Sequence, residues 1–162
     1  MNSASHTNRI LEARNPRTGE MDYSFEATSE KELASIVADL RAGQPAWAAM
    51  SVEERAGILS DWADLVSSSD ELLKALVTDT GRYFIASAEL GRLSTMIQDW
   101  LKIGKTVFAE QIAKQSSAPT VTYKHQLVPF EVVGVIGPWN FPFLITLIDL
   151  IPALMAGSAV IV

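Results

Sequence analysis

The side chain best suited to chemistry is Asn140, in the run Gly134-Val135-Ile136-Gly137-Pro138-Trp139-Asn140-Phe141-Pro142. A carboxamide donates hydrogen bonds without charge and does not titrate. The same residue also suits an N-cap ahead of a helix from Phe141, with Pro142 in its first turn. The other reactive side chains are scattered. His6 lies in a small polar N-terminal stretch and His125 beside Lys124, and neither has the companions of a metal set. Asp149 is the single acid of an apolar run and reads as paired or partly exposed rather than catalytic. Gly104-Lys105-Thr106 has the residue order that ends a phosphate loop, but it lacks the upstream glycine run and sits in a helical pattern. Gly134-x-x-Gly137 is not a dinucleotide fingerprint either. The chain has no cysteine. That excludes a disulfide scaffold, an iron–sulfur cluster, a cysteine zinc site and a thiol nucleophile within these residues.

The elements that must position Asn140 follow from the pattern of charge. The 162 residues carry 13 Lys and Arg against 19 Asp and Glu, a net charge of −6, and 48% are apolar. This is the size of one domain and too apolar for a disordered chain. The acidic balance argues against a broad nucleic-acid surface, and the absence of a secretory leader predicts a cytoplasmic protein. Charges are dense up to Glu131, whereas residues 132–162 carry only Asp149. Neither apolar stretch of that segment, 141–148 or 150–162, reaches the ~18 to 20 residues of a membrane-crossing helix. Pro138, Pro142 and Pro152 further oppose a straight span. The segment therefore reads as a buried strand–helix–strand unit.

Asn15-Pro16-Arg17-Thr18-Gly19-Glu20 is a turn, with short strands expected over 10–13 and 21–24. Ser29 with Glu32, Ser51 with Glu54 and Ser68 with Glu71 each have capping-box spacing. The apolar periodicity behind them predicts helices carrying Leu33 to Leu40, Ile58 to Val66 and Leu72 to Val77. Gly43 and Pro45 are expected to end the first of these. A longer helix is expected over 83–113, with Gly91 and Gly104 weakening it or permitting close packing. Residues 120–125 and 132–136 favour extended structure. An apolar helix to about Ala156 and a strand over 158–162 complete a β-α-β unit, the mark of a parallel sheet covered on both faces.

The run 134–142, followed by Pro152-Ala153-Leu154-Met155-Ala156-Gly157, resembles the signature segments of the NAD(P)-dependent aldehyde dehydrogenase superfamily. Upstream matches stand in the same order: Asn15-Pro16 with Thr18-Gly19-Glu20, Trp47 ahead of Arg55 and Leu59, and Thr78 with Thr80-Gly81-Arg82. Two positions depart from the usual pattern, Ser158 where many members carry Asn and Arg82 where Lys is common.

The resemblance implies an α/β fold, the N-terminal part of a much longer enzyme. Residues 1–118 would be the helical part of the cofactor-binding domain, 119–131 part of the oligomerisation arm, and 132–162 the start of the parallel sheet. It also implies NAD or NADP as cofactor, an aldehyde as substrate, a homo-oligomer and no metal. In that family a thiolate attacks the aldehyde, hydride passes to the nicotinamide, and water releases a carboxylic acid. The resemblance makes Asn140 one oxyanion donor, and Ile136, Gly137, Pro138, Trp139 and Asn140 lining of the cofactor cleft. The catalytic cysteine and glutamate match no residue here, so the segment alone is expected to be inactive. Phe143, Leu144 and Thr146 could face the substrate channel or pack into the core, and Trp139 could itself be core. A non-catalytic helical interaction protein, or a degenerate partial gene product, is the alternative.

Overall fold

The computed structural model describes residues 9–109 and 113–162. The small polar N-terminal stretch with His6, and residues 110–112 of the helix expected over 83–113, lie outside the described residues. Strands β1 (Ile10–Arg14) and β2 (Met21–Glu26) pair antiparallel around the predicted turn. Within that turn the Asn15 side chain accepts from the N–H groups of Arg17 and Thr18, at 2.9 and 3.1 Å.

Helices α1 (Glu30–Ala49) and α2 (Val52–Ser67) open with complete capping boxes, Ser29 with Glu32 and Ser51 with Glu54. Helix α3 (Asp70–Thr80) is capped one residue later than expected. Ser69 accepts from Leu72 N–H, while the Ser68 hydroxyl donates back to the carbonyls of Asp64 and Leu65. Two further expectations are corrected. Pro45 lies inside α1 rather than beyond it. The turn around it is held from outside, because Gln44 Nε2 donates to Gly157 O and Trp47 Nε1 to Leu154 O, both at 2.8 Å. The long helix expected over 83–113 is two, α4 (Tyr83–Gly91) and α5 (Leu93–Ala109). The break at Arg92 sends Leu90 into one apolar cluster and Leu93 into another. Gly104 permits a close approach, since a Cβ there would come within 2.9 Å of Val52.

Strands β3 (Lys114–Gln115) and β4 (Thr122–Tyr123) form a short antiparallel pair. Strand β5 (Val132–Gly134) pairs parallel with β6 (Ala159–Ile161) across α6 (Leu144–Ala156), the expected β-α-β unit. β4 and β5 are shorter than the extended runs that contain them. A strand persists only where a neighbour pairs its backbone, and each of these has one such neighbour among the described residues.

The main core joins Val52, Ala56, Leu59 and Ala63 of α2 with Leu93 and Ile97 of α5 and Leu147, Ile151 and Met155 of α6. Burying each large aliphatic side chain stabilises by about 1.5–3 kcal/mol. A second cluster holds Leu76, Ala86 and Leu90, and Phe143 packs against both. Buried Arg55 ties the regions together, donating to Met155 O at 3.1 Å and to the carbonyls of Trp47, Ala48 and Met50 at the end of α1. Burial pulls its guanidinium below the ordinary arginine range, against the opposing charges of Glu53 and Glu54. Gly157 ends α6 in the left-handed conformation that favours glycine, at φ +103°. Among the described residues no helix is long and apolar enough to cross a membrane. The 13 residues of α6 span about 20 Å at the helical rise.

Candidate functional site

The loop carrying Asn140 leaves the C-terminal end of β5, where open parallel sheets place their ligands. Val135 extends the ladder one residue, donating to Ile161 O at 2.9 Å, and is buried. The chain then turns outward. Ile136 is 96% exposed and Trp139 86% exposed, so neither packs into the core of the described residues. Gly137 packs against the start of α6. A Cβ there would overlap the Thr146 hydroxyl and lie 3.2 Å from Pro142 O. Thr146 is buried and donates to that same carbonyl at 2.5 Å.

Asn140 is half-buried in a turn, and its carboxamide makes no hydrogen bond with a described residue. It is not an N-cap. Helix α6 begins at Leu144 with Phe143 in the cap position, and Pro142 precedes the helix. The capping is done from another element. Glu89 of α4, 1% exposed, accepts through Oε2 from the backbone N–H of Phe143 at 3.2 Å and of Leu144 at 2.7 Å. On the other side, the Arg82 guanidinium stacks on the Phe141 ring, 4.8 Å from its centroid. Both grips leave a buried polar atom without a hydrogen-bond partner among the described residues, Arg82 Nη2 and Glu89 Oε1. The arrangement presents one uncharged, non-titrating donor on a loop fixed at its far end.

The remaining candidates lie elsewhere. Asp149 is exposed on α6, and His125 is exposed with its ring edge-on to Tyr123. Gly104-Lys105-Thr106 is inside α5, with Lys105 paired to Glu53 at 3.4 Å. No group of three or more His, Asp or Glu among the described residues could hold a metal ion. Phe143 and Thr146 pack inward.

The family model for aldehyde dehydrogenases matches residues 2–162. The chain belongs to the aldehyde dehydrogenase family. Among solved structures it is similar to PutA from Anabaena variabilis, at 39% identity and a TM-score of 0.87, over 94% of this chain and 32% of that one. It is similar to an NAD-dependent benzaldehyde dehydrogenase from Corynebacterium glutamicum at 25% identity and TM-score 0.84, over 95% and 34% of the two chains. An aldehyde dehydrogenase from Brucella melitensis biovar abortus matches at 25% identity and TM-score 0.77, over 99% and 33%. The chain thus spans about a third of the length of the structures it matches, and its mixed α/β architecture is that of their N-terminal third.

The motif that leads to Asn140 in this aldehyde dehydrogenase segment does not lead to Glu89, nor to the stacking of Arg82. One signal for Glu89 exists in the sequence. Ala86, Glu89 and Leu90 fall on one face of α4 at helical spacing, so the acid shares a buried stripe.

Proposed function

We propose that this chain is the N-terminal segment of an NAD(P)-dependent aldehyde dehydrogenase that oxidises an aldehyde to a carboxylic acid. The observation that carries the reading is the position of Asn140, half-buried in the turn that follows the C-terminal end of a parallel strand, in a chain matched to the family over 2–162. Asn140 donates to the aldehyde oxygen as it becomes an oxyanion under attack by a thiolate. No cysteine lies in these residues, so the nucleophile comes from outside them and the segment alone does not turn over. Ile136, Gly137, Pro138 and Trp139 with Asn140 line the cofactor cleft. An apolar bed suits a planar ring, and Ile136 and Trp139 are the side chains turned outward there. When bound, NAD or NADP supplies the hydride acceptor.

The segment divides into a helical part over 1–118, arm strands over 119–131 and the start of the cofactor-binding sheet over 132–162. Exposed Val128 and Phe130, between β4 and β5, suit an arm that pairs with other strands in a homo-oligomer. The test begins with the reading frame beyond Val162. Continuation into a lysine-bearing strand and later a cysteine supports the proposal, and a stop codon there overturns it in favour of a partial gene product. In the continued protein, Asn140→Ala is expected to lower kcat by about 10²–10³-fold with KM little changed. An unchanged kcat would remove Asn140 from the oxyanion site.

A further inference from the structure

Helix α6 has no cap of its own. Phe143 stands in the cap position and offers no side-chain acceptor. The Phe143 and Leu144 N–H groups at its start are part-buried and donate to the Glu89 carboxylate of α4. An anion at a helix N-terminus is favoured by the unsatisfied N–H groups and by the aligned peptide dipoles. Two bonds to consecutive amides also restrict the backbone between them. The effect reaches upstream, because Asn140 is three residues before Phe143 and the chain between is short. Arg82 holds that intervening stretch through the Phe141 ring. Arg82 stands at the N-cap position of the same short helix and Glu89 lies in its last turn, so one element reaches the loop twice. That element is itself anchored. Ala86 and Leu90 are buried with Leu76, and Ser67 Oγ donates to Leu90 O at 3.3 Å.

We propose that Glu89 is a positioning residue, which orients the Asn140 carboxamide by tying the Phe143 and Leu144 amides to α4. The proposal rests on the reading of Asn140 as the oxyanion donor. Glu89 touches no reacting atom and acts through the backbone that carries Asn140. Its second oxygen, which accepts nothing among the described residues, is not needed for this task. A glutamine, with one carbonyl oxygen, keeps both backbone bonds.

The test is amide hydrogen exchange and ¹⁵N NMR on the 162-residue chain, comparing wild type with Glu89→Ala, Glu89→Gln and Leu90→Ala. Glu89→Ala is expected to speed exchange at Phe143 and Leu144 by about tenfold or more. It should also shift the side-chain NH₂ resonances of Asn140, while α2 amides keep their wild-type protection relative to one another. Glu89→Gln is expected to restore both signals. Leu90→Ala, which removes packing that anchors the same helix, is expected to loosen α3, α4 and the Phe143 and Leu144 amides together, whereas Glu89→Ala frees those two amides and Asn140 without loosening α3. The proposal is overturned if Glu89→Ala leaves the three residues unmoved, if Gln behaves like Ala, or if the wild-type Phe143 and Leu144 amides exchange as fast as in an unstructured peptide. Failure of the oxyanion reading is a separate result, an unchanged kcat in Asn140→Ala, and it leaves these exchange rates as they are.

Discussion

Helices α1 and α6 both need their first N–H groups satisfied, and they solve the problem in opposite ways. Helix α1 does it locally: Ser29 Oγ and Glu32, three residues apart, cap each other's backbone. Helix α6 does it at a distance, through Glu89, which is 54 and 55 residues from the amides it holds. The first kind of cap travels with its helix and can form as soon as the helix does. The second exists only after α4 and α6 have docked, so the geometry of the Asn140 loop depends on tertiary packing. Helices α1 and α2 carry their own N-terminal caps, whereas the start of α6 takes its cap from α4.

The largest effect that could break this contrast lies in the shared core. Ile151 of α6 is fully buried against α2 and α5. Ile151→Ala is expected to destabilise by about 2–5 kcal/mol and to shift one cooperative urea transition followed by far-UV circular dichroism and by tryptophan fluorescence together. Two separated transitions would mean that the 132–162 segment and the helical region fold independently. A smaller effect comes from a local cap. Ser51→Ala removes the acceptor for Glu54 N–H and is expected to cost about 1 kcal/mol in the same experiment. It should leave amide protection at Phe143 and Leu144 unchanged relative to the rest of the chain.

The smallest effect is a pH dependence confined to the local caps. Bonds to Ser29, and the Ser51 backbone N–H foremost for Glu54, hold the Glu32 and Glu54 carboxyls below the ordinary value of 4.5. A carboxyl lowered in the folded state contributes stability that is present above pH 4.5 and lost as pH falls through its lowered value. Helicity measured between pH 5 and lower values should therefore fall in wild type. Glu54→Gln should lose the part of that slope belonging to α2, and an identical slope in the variant would show that the caps do not carry it.

The same contrast explains what the sequence made legible. The boxes at Ser29 and Ser51, the hairpin around Asn15 and Gly19 and the β-α-β order of 132–162 rest on neighbours within a few residues or on unbroken apolar runs. Features that rest on distant partners could not be read in this way. Pro45 stays inside α1 because Gln44 and Trp47 are held by Gly157 and Leu154. The 83–113 pattern breaks because Leu90 and Leu93 go to different clusters. Ser69 displaces Ser68 as a cap because the Ser68 hydroxyl is spent on carbonyls of the preceding turn. At the candidate site the motif leads to Asn140 and its loop, while Glu89 and Arg82, which grip that loop, lie on another element.

The proposed division of labour gives this segment an oxyanion donor and cofactor-cleft residues but no nucleophile. It is tested most directly by incubating the purified 162-residue chain with propanal and either NAD or NADP and following reduction of the nicotinamide. No reduction above a mock preparation is expected. Aldehyde-dependent turnover above that level would contradict it.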